Sequence, residues 1–151
     1  MVRIKKLRLY LDNCCYNRPY DDQSSLVVYL ESEAKLSIQR NIVEYVYDLV
    51  WSYMNDYENS ANLYDERKKI IADWRTVAVI KVIPSYEIRD MANIFVKGGI
   101  KSKDALHVAC AIQAQCDFFL TTDKRLLNKS LGQIELINPL DFIRKVEEDE
   151  R

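Results

Sequence analysis

Residues 101–127 read KSKDALHVACAIQAQCDFFLTTDKRLL. Ser102 stands where a helix N-cap belongs, and the apolar helical pattern after it predicts a helix over 103–115. DFFLTT, at 117–122, reads as a strand, and DKRLLNK as a helical turn. A helix that hands the chain directly to an apolar strand is one period of an alternating α/β architecture. Asp104 and Asp123 bracket that period, nineteen residues apart.

The pattern extends to both sides. Residues 7–11 read as a first strand, with 3–6 leading into it, and NRPYDD at 17–22 as a loop. Leu26, Leu30, Ala34, Ile38 and Ile42 recur four apart and predict a helix from Ser24 or Ser25 to about Tyr45. Residues 47–51 are a second strand, followed by a short helix and a turn across 52–62. LYDERKKIIADWR is a further helix with Ile70, Ile71 and Trp74 toward the core. The β-branched run 77–83 is a third strand, and Pro84 and Ser85 open a helix that Gly98 and Gly99 stop. Residues 134–137 are the last strand, and Pro139 starts a closing helix. Strands alternating with helices define an α/β fold: a central parallel five-stranded sheet flanked by helices on both faces. One domain is expected over 1–146, with an acidic tail at 147–151.

Composition narrows the function classes. The chain has 151 residues, enough for one sizeable core, and three Gly and three Pro are too few for a disordered linker. No apolar run approaches the roughly eighteen residues of a membrane span, so no membrane association is expected. The basic-then-apolar start is broken by Asp12 and lacks a small-residue cleavage site, so a cytoplasmic location is expected. Cys14, Cys15, Cys110 and Cys116 have no zinc spacing and are expected as reduced, mostly buried thiols. A formal charge of -1 neither advertises nor excludes nucleic-acid binding.

Sites in open α/β sheets lie beyond the carboxyl ends of the strands. Asp12 follows the first strand, Glu58 comes shortly after the second, and Asp123 follows the FFLTT strand. Asp104 lies near the start of the helix that feeds that strand. Carboxylates gathered in one cleft repel each other unless a cation neutralises them. Hard oxygen ligands suit Mg²⁺ or Mn²⁺, which in proteins usually also contact phosphate. The residues therefore point to metal-dependent phosphate chemistry. Each acid also suits a structural role: Asp12 and Asn13 in a turn, Asp104 in a first helical turn, Asp123 as an N-cap. Capping and ligation are not exclusive.

Three segments carry a family resemblance: LYLDNC at 9–14, WSYMNDYEN at 51–59 and the 101–127 stretch. Together they resemble the PIN domain family, and in particular its VapC-like ribonuclease branch. That resemblance implies a PIN-like three-layer α/β/α fold and Mg²⁺- or Mn²⁺-dependent cleavage of an RNA substrate by metal-activated water. It implies products with a 5′ phosphate and a 3′ hydroxyl. It also implies a toxin held by an antitoxin protein, and a homodimer. Matched position by position, Asp12, Asp104 and Asp123 hold the main metal, and Glu58 assists or holds a second. Glu58 fits the remaining acidic position by context; Glu44 is the rival by distance along the chain, but it precedes the second strand.

Around these acids, Asn13, Asn59, Thr121 and Thr122 are candidates to donate hydrogen bonds to a ligand carboxylate or to phosphate. His107 shares a helical face with Asp104, where it either orients Asp104 or a water, or is a buried histidine satisfied by a backbone group. Cys14 as a nucleophile needs a base in reach, and only His107 is available. A haloacid-dehalogenase phosphatase needs a second aspartate where this chain has Cys14. The alternative function is a non-catalytic α/β domain that binds nucleic acid or protein and retains the acidic metal-binding cluster.

Overall fold

Five short strands, β1 (Arg8–Leu11), β2 (Asp48–Ser52), β3 (Ile80–Val82), β4 (Phe118–Leu120) and β5 (Glu135–Ile137), pair side by side in the computed structural model, which describes residues 5–149. All pairs are parallel, in the order β3-β2-β1-β4-β5. Parallel neighbours require crossovers, and helices supply them. They are α1 (Asn13–Asn17), α2 (Leu26–Val43), α3 (Tyr53–Ser60), α4 (Asp65–Asp73), α5 (Tyr86–Lys97), α6 (Ser102–Gln113), α7 (Lys124–Leu127) and α8 (Pro139–Asp149). The result is the parallel α/β/α architecture that the alternation predicts and the PIN-like one that the resemblance implies.

Strand β1 occupies the centre, so both its faces are buried, and its side chains alternate between two cores. Tyr10 faces one, with Val50, Phe119, Val108 and the apolar sides of α5 and α6. Leu9 and Leu11 face the other, with Trp51, Tyr16, Ile38 of α2 and Phe142 of α8. Tyr10 stacks on Phe119 with ring centroids 5.2 Å apart. The chain leaves β1 toward β2 on one side and reaches β4 on the other. The topological switch point therefore lies between β1 and β4, where open sheets form their crevice.

Several elements differ from the sequence expectation. The stripe on α2 starts late: Ala34, Ile38 and Ile42 are buried, whereas Leu26 is 69% exposed and Leu30 38%. The apolar core ends at Ala34; nearer the start of α2 the inward positions are the polar Glu31 and Ser32, both bound to Arg18. Strand β3 covers three residues of the expected 77–83. A 3-10 turn, Trp74–Val77, takes the start, and β3 is an edge strand hydrogen-bonded only to β2. A β-branched run supplies propensity but not a partner. Residues 17–22 are not a plain loop. Asp12 caps α1, and a 3-10 turn at Arg18–Tyr20 follows with Pro19 at its start. On α4, Ile71 is buried but Ile70 points outward at 47% exposure. Ser102 is the first residue of α6, whose N-cap is Lys101. Residues 147–149 continue α8 rather than forming a tail, while 3, 4, 150 and 151 lie outside the described residues. The four cysteines are free thiols, three of them buried. Among the described residues no helix is long and apolar enough to cross a membrane.

Phe119→Ala empties a fully buried site shared by β1, β4 and α6 and is expected to cost about 3–5 kcal/mol in urea unfolding. Leu26→Ala is expected to change stability by less than about 0.5 kcal/mol. A large loss for Leu26→Ala would show that the core extends over the start of α2.

Candidate metal centre

Asp12 is the first residue beyond β1, and it is 5% exposed. Its backbone N–H donates to the Leu120 carbonyl at 2.9 Å, which ties the end of β1 to the end of β4. Its extended backbone lets Oδ1 accept from the Asn13 N–H at 2.8 Å and so cap α1. Oδ2 accepts from the Thr121 hydroxyl at 2.9 Å and from the Cys14 thiol at 3.5 Å. Burial raises the Asp12 carboxyl above its ordinary value. His107 pulls it back, the Glu58 charge pushes it up again, and the bonds from Thr121 and Cys14 lower it; the net shift is upward.

Glu58 is carried on α3, whose start is fixed by a capping box. Ser52 Oγ accepts from Met54 and Asn55 N–H, and Asn55 Oδ1 accepts from Ser52 N–H. Asn55 also donates to the Leu11 carbonyl and to Asn13 Oδ1, while Asn13 Nδ2 donates to the Asn55 carbonyl. This exchange locks α1 to α3 and sets Glu58 opposite Asp12. Glu58 Oε1 lies 2.7 Å from His107 Nε2. Burial alone would raise the Glu58 carboxyl, but the hydrogen bond with His107 and the charge of Lys103 hold it below its ordinary value.

Asp104 sits in the first turn of α6, half-buried. It is raised to about 6 by burial and then by the charges of Asp12 and Asp123, with His107 opposing and Glu58 adding to the rise. Asp123 is the N-cap of α7, accepting from Arg125 N–H at 2.9 Å, and its own N–H donates to Thr121 Oγ1 at 3.1 Å. Asp104 and Asp123 line one cavity of about 130 Å³, together with Gly99, Lys101, Arg125 and Lys129.

One ligand atom from each of Asp12, Glu58 and His107 lies within 4.8 Å of the others, a cluster consistent with a metal-binding site. The surroundings fit a hard divalent cation. Asp12 and Glu58 offer carboxylate oxygens and His107 a ring nitrogen, and the carboxyls of Asp12 and of neighbouring Asp104 are raised partly by nearby acidic charge, a repulsion that a cation would relieve. The structure thus brings Asp12 and Glu58 into one cluster and sets Asp104 in the field of Asp12, Glu58 and Asp123.

The supporting residues divide differently from the sequence expectation. Thr121 bonds Asp12 directly. Thr122 meets Cys14 Sγ through its backbone N–H at 3.4 Å. The Asn13 side chain is turned to Asn55, and Asn59 Nδ2 donates to the Lys68 carbonyl, joining α3 to α4. His107 bonds Glu58, not Asp104, and is fully buried. Sequence reasoning missed Tyr10 and Ser52, which stand behind His107. A tyrosine inside a buried strand was the available signal, because its hydroxyl must find a partner there.

Neither a family model nor a curated protein matches the chain. Among solved structures it is similar to a chain of VapBC2 from Rickettsia felis, determined bound to a DNA fragment from their promoter. Sequence identity is 15%, the TM-score is 0.53, and the match covers 87% of this chain and 98% of that one. The likeness is one of fold, a PIN-like α/β/α architecture.

Because Asp104 is raised in the folded protein, the fold holds its proton to higher pH than the unfolded chain does. Its contribution to the stability of the metal-free protein is therefore lost as pH rises from about 4, the ordinary carboxylate range, to about 6. Asp104→Asn is expected to melt above the metal-free wild type at neutral pH, by a margin that widens between about pH 4 and about pH 7. A margin independent of pH, or one favouring the wild type, would contradict the raised carboxyl.

Proposed function

We propose that the chain is a Mg²⁺- or Mn²⁺-dependent endoribonuclease of the VapC-like branch of the PIN domain family. The observation that supports this reading is the cluster of Asp12, Glu58 and His107 at the carboxyl end of β1, beside which Asp104 is raised by burial and by the charges of Asp12, Asp123 and Glu58. In this reading Asp12, Asp104 and Asp123 hold the cation and Glu58 assists them. A divalent cation held there makes water a competent nucleophile near neutral pH and offsets charge on the phosphate under attack.

The chain's own groups do the rest. Thr121 fixes one oxygen of Asp12 and the backbone of Asp123 through a single hydroxyl, which keeps the two acids in register. Asp104, at about 6, is largely ionised at pH 7 and available as a ligand. Lys101, Arg125 and Lys129 share the cavity with Asp104 and Asp123, where they offer positive charge to the flanking phosphates of a single strand. Hydrolysis with a 3′ oxygen leaving group gives a 5′ phosphate and a 3′ hydroxyl.

The same reading makes a toxin restrained by an antitoxin, and a homodimer. Exposed apolar side chains support a protein partner: Leu26, Val27, Tyr29 and Leu30 on α2, and Ile83, Tyr86 and Ile94 on and before α5.

Cleavage of a labelled single-stranded RNA, with Mn²⁺ supplied and contaminating nuclease removed, tests the proposal. Asp12→Asn and Asp123→Asn are expected to lower the rate at least about a hundredfold, with circular dichroism unchanged. Undiminished cleavage by either variant, or no metal-dependent cleavage by the wild type, would overturn it.

A further inference from the structure

His107 has no free nitrogen. Its Nδ1 lies 2.5 Å from the Tyr10 hydroxyl, and its Nε2 lies 2.7 Å from Glu58 Oε1. Tyr10 in turn lies 2.6 Å from Ser52 Oγ, the N-cap oxygen of α3. Glu58 is on that same helix. The bonds therefore run in a loop, from the cap of α3 through β1 and α6 and back to α3. Three of the candidate acids ride on this loop. Asp12 is two residues after Tyr10, Asp104 is three before His107, and Glu58 is a member.

The direction of each bond follows from its two ends. Ser52 Oγ accepts from two backbone N–H groups, which leaves its own hydrogen for the Tyr10 oxygen. With its oxygen taking the Ser52 hydrogen, Tyr10 turns its own hydrogen to His107 Nδ1. A neutral ring whose Nδ1 accepts carries its hydrogen on Nε2, which donates it to Glu58 Oε1. The ring has little freedom to turn: it is fully buried, with its edge against Tyr10 at a centroid distance of 5.7 Å.

We propose that His107 is a positioning residue for Glu58 and not a metal ligand, and that the Ser52–Tyr10–His107–Glu58 loop leaves carboxylate oxygens to hold the cation. This rests on the metal-site reading above and goes beyond it. Nearness alone does not make His107 a ligand, because ligation needs a bare nitrogen lone pair. Freeing Nε2 would set that lone pair against the Glu58 carboxylate. A site of oxygens alone favours Mg²⁺ or Mn²⁺; an imidazole ligand would shift preference toward Zn²⁺.

The chain has one histidine, so labelling with ¹⁵N-histidine reports His107 alone. In the metal-free protein, nitrogen NMR is expected to show a protonated Nε2; an unprotonated Nε2 would overturn the proposal. With Mn²⁺ bound, pulsed EPR is expected to show no directly bonded ¹⁵N, and a directly bonded signal would overturn this proposal while leaving the nuclease reading intact. Failure of the wild type to bind Mn²⁺ would instead overturn the nuclease reading, with the NMR result still deciding the loop. Calorimetry with Mn²⁺ adds the positioning test. His107→Ala is expected to weaken binding about 10- to 100-fold, and His107→Gln, which restores an N–H, to recover most of that loss. Tyr10→Phe removes no candidate ligand atom and is expected to weaken binding at least about twofold. Unchanged affinity in Tyr10→Phe would count against the loop.

Discussion

A carboxylate withdrawn from water at the tip of the central strand is the constraint around which the rest of this protein is arranged. Asp12 sits where both faces of the sheet are covered, and burial disfavours its charge. Three devices make the position tolerable. The Asn13 backbone, the Thr121 hydroxyl and the Cys14 thiol each donate to it. Even so, the net shift remains upward, and the Glu58 charge adds to it. A site that carries uncompensated negative charge in a low-dielectric setting has an obvious complement, a divalent cation.

The fold supplies the rigidity that such a site needs. Strand β1 is held between β2 and β4 and packed from both sides, so Asp12 has almost no positional freedom. The other acids reach the same rim from separate elements, Glu58 from α3, Asp104 from α6 and Asp123 from the cap of α7. What fixes their mutual placement is a set of buried polar links: the Asn13–Asn55 exchange, Thr121 between Asp12 and Asp123, and the Tyr10–His107 column. Buried polar groups that are fully paired fix one arrangement, whereas apolar contacts tolerate several.

Much of this was legible in the sequence, for identifiable reasons. Parallel strands buried on both faces read as short apolar runs, and helix caps such as Ser85 announce themselves. The positions of Asp12 after β1 and Asp123 after β4 follow directly from that alternation. Burial at the margins was not legible. Leu26 and Leu30 continue the apolar stripe, yet both stay exposed, since a stripe does not tell where the neighbouring layer stops. The partner of His107 was equally hidden. Asp104 is its neighbour along the helix, but Glu58, forty-nine residues away, is its neighbour in space. Asn13 and Asn59, polar residues beside candidate ligands, proved to bind other parts of the chain.

The central claim is that one divalent cation is gathered by carboxylates at the rim between β1 and β4. Anomalous diffraction from crystals soaked in Mn²⁺ tests it most directly. The account predicts a peak roughly 2.0–2.4 Å from oxygens of Asp12 and of Asp104 or Asp123. Mn²⁺ seated elsewhere, or an ordered crevice that takes up none at millimolar concentration, would contradict it.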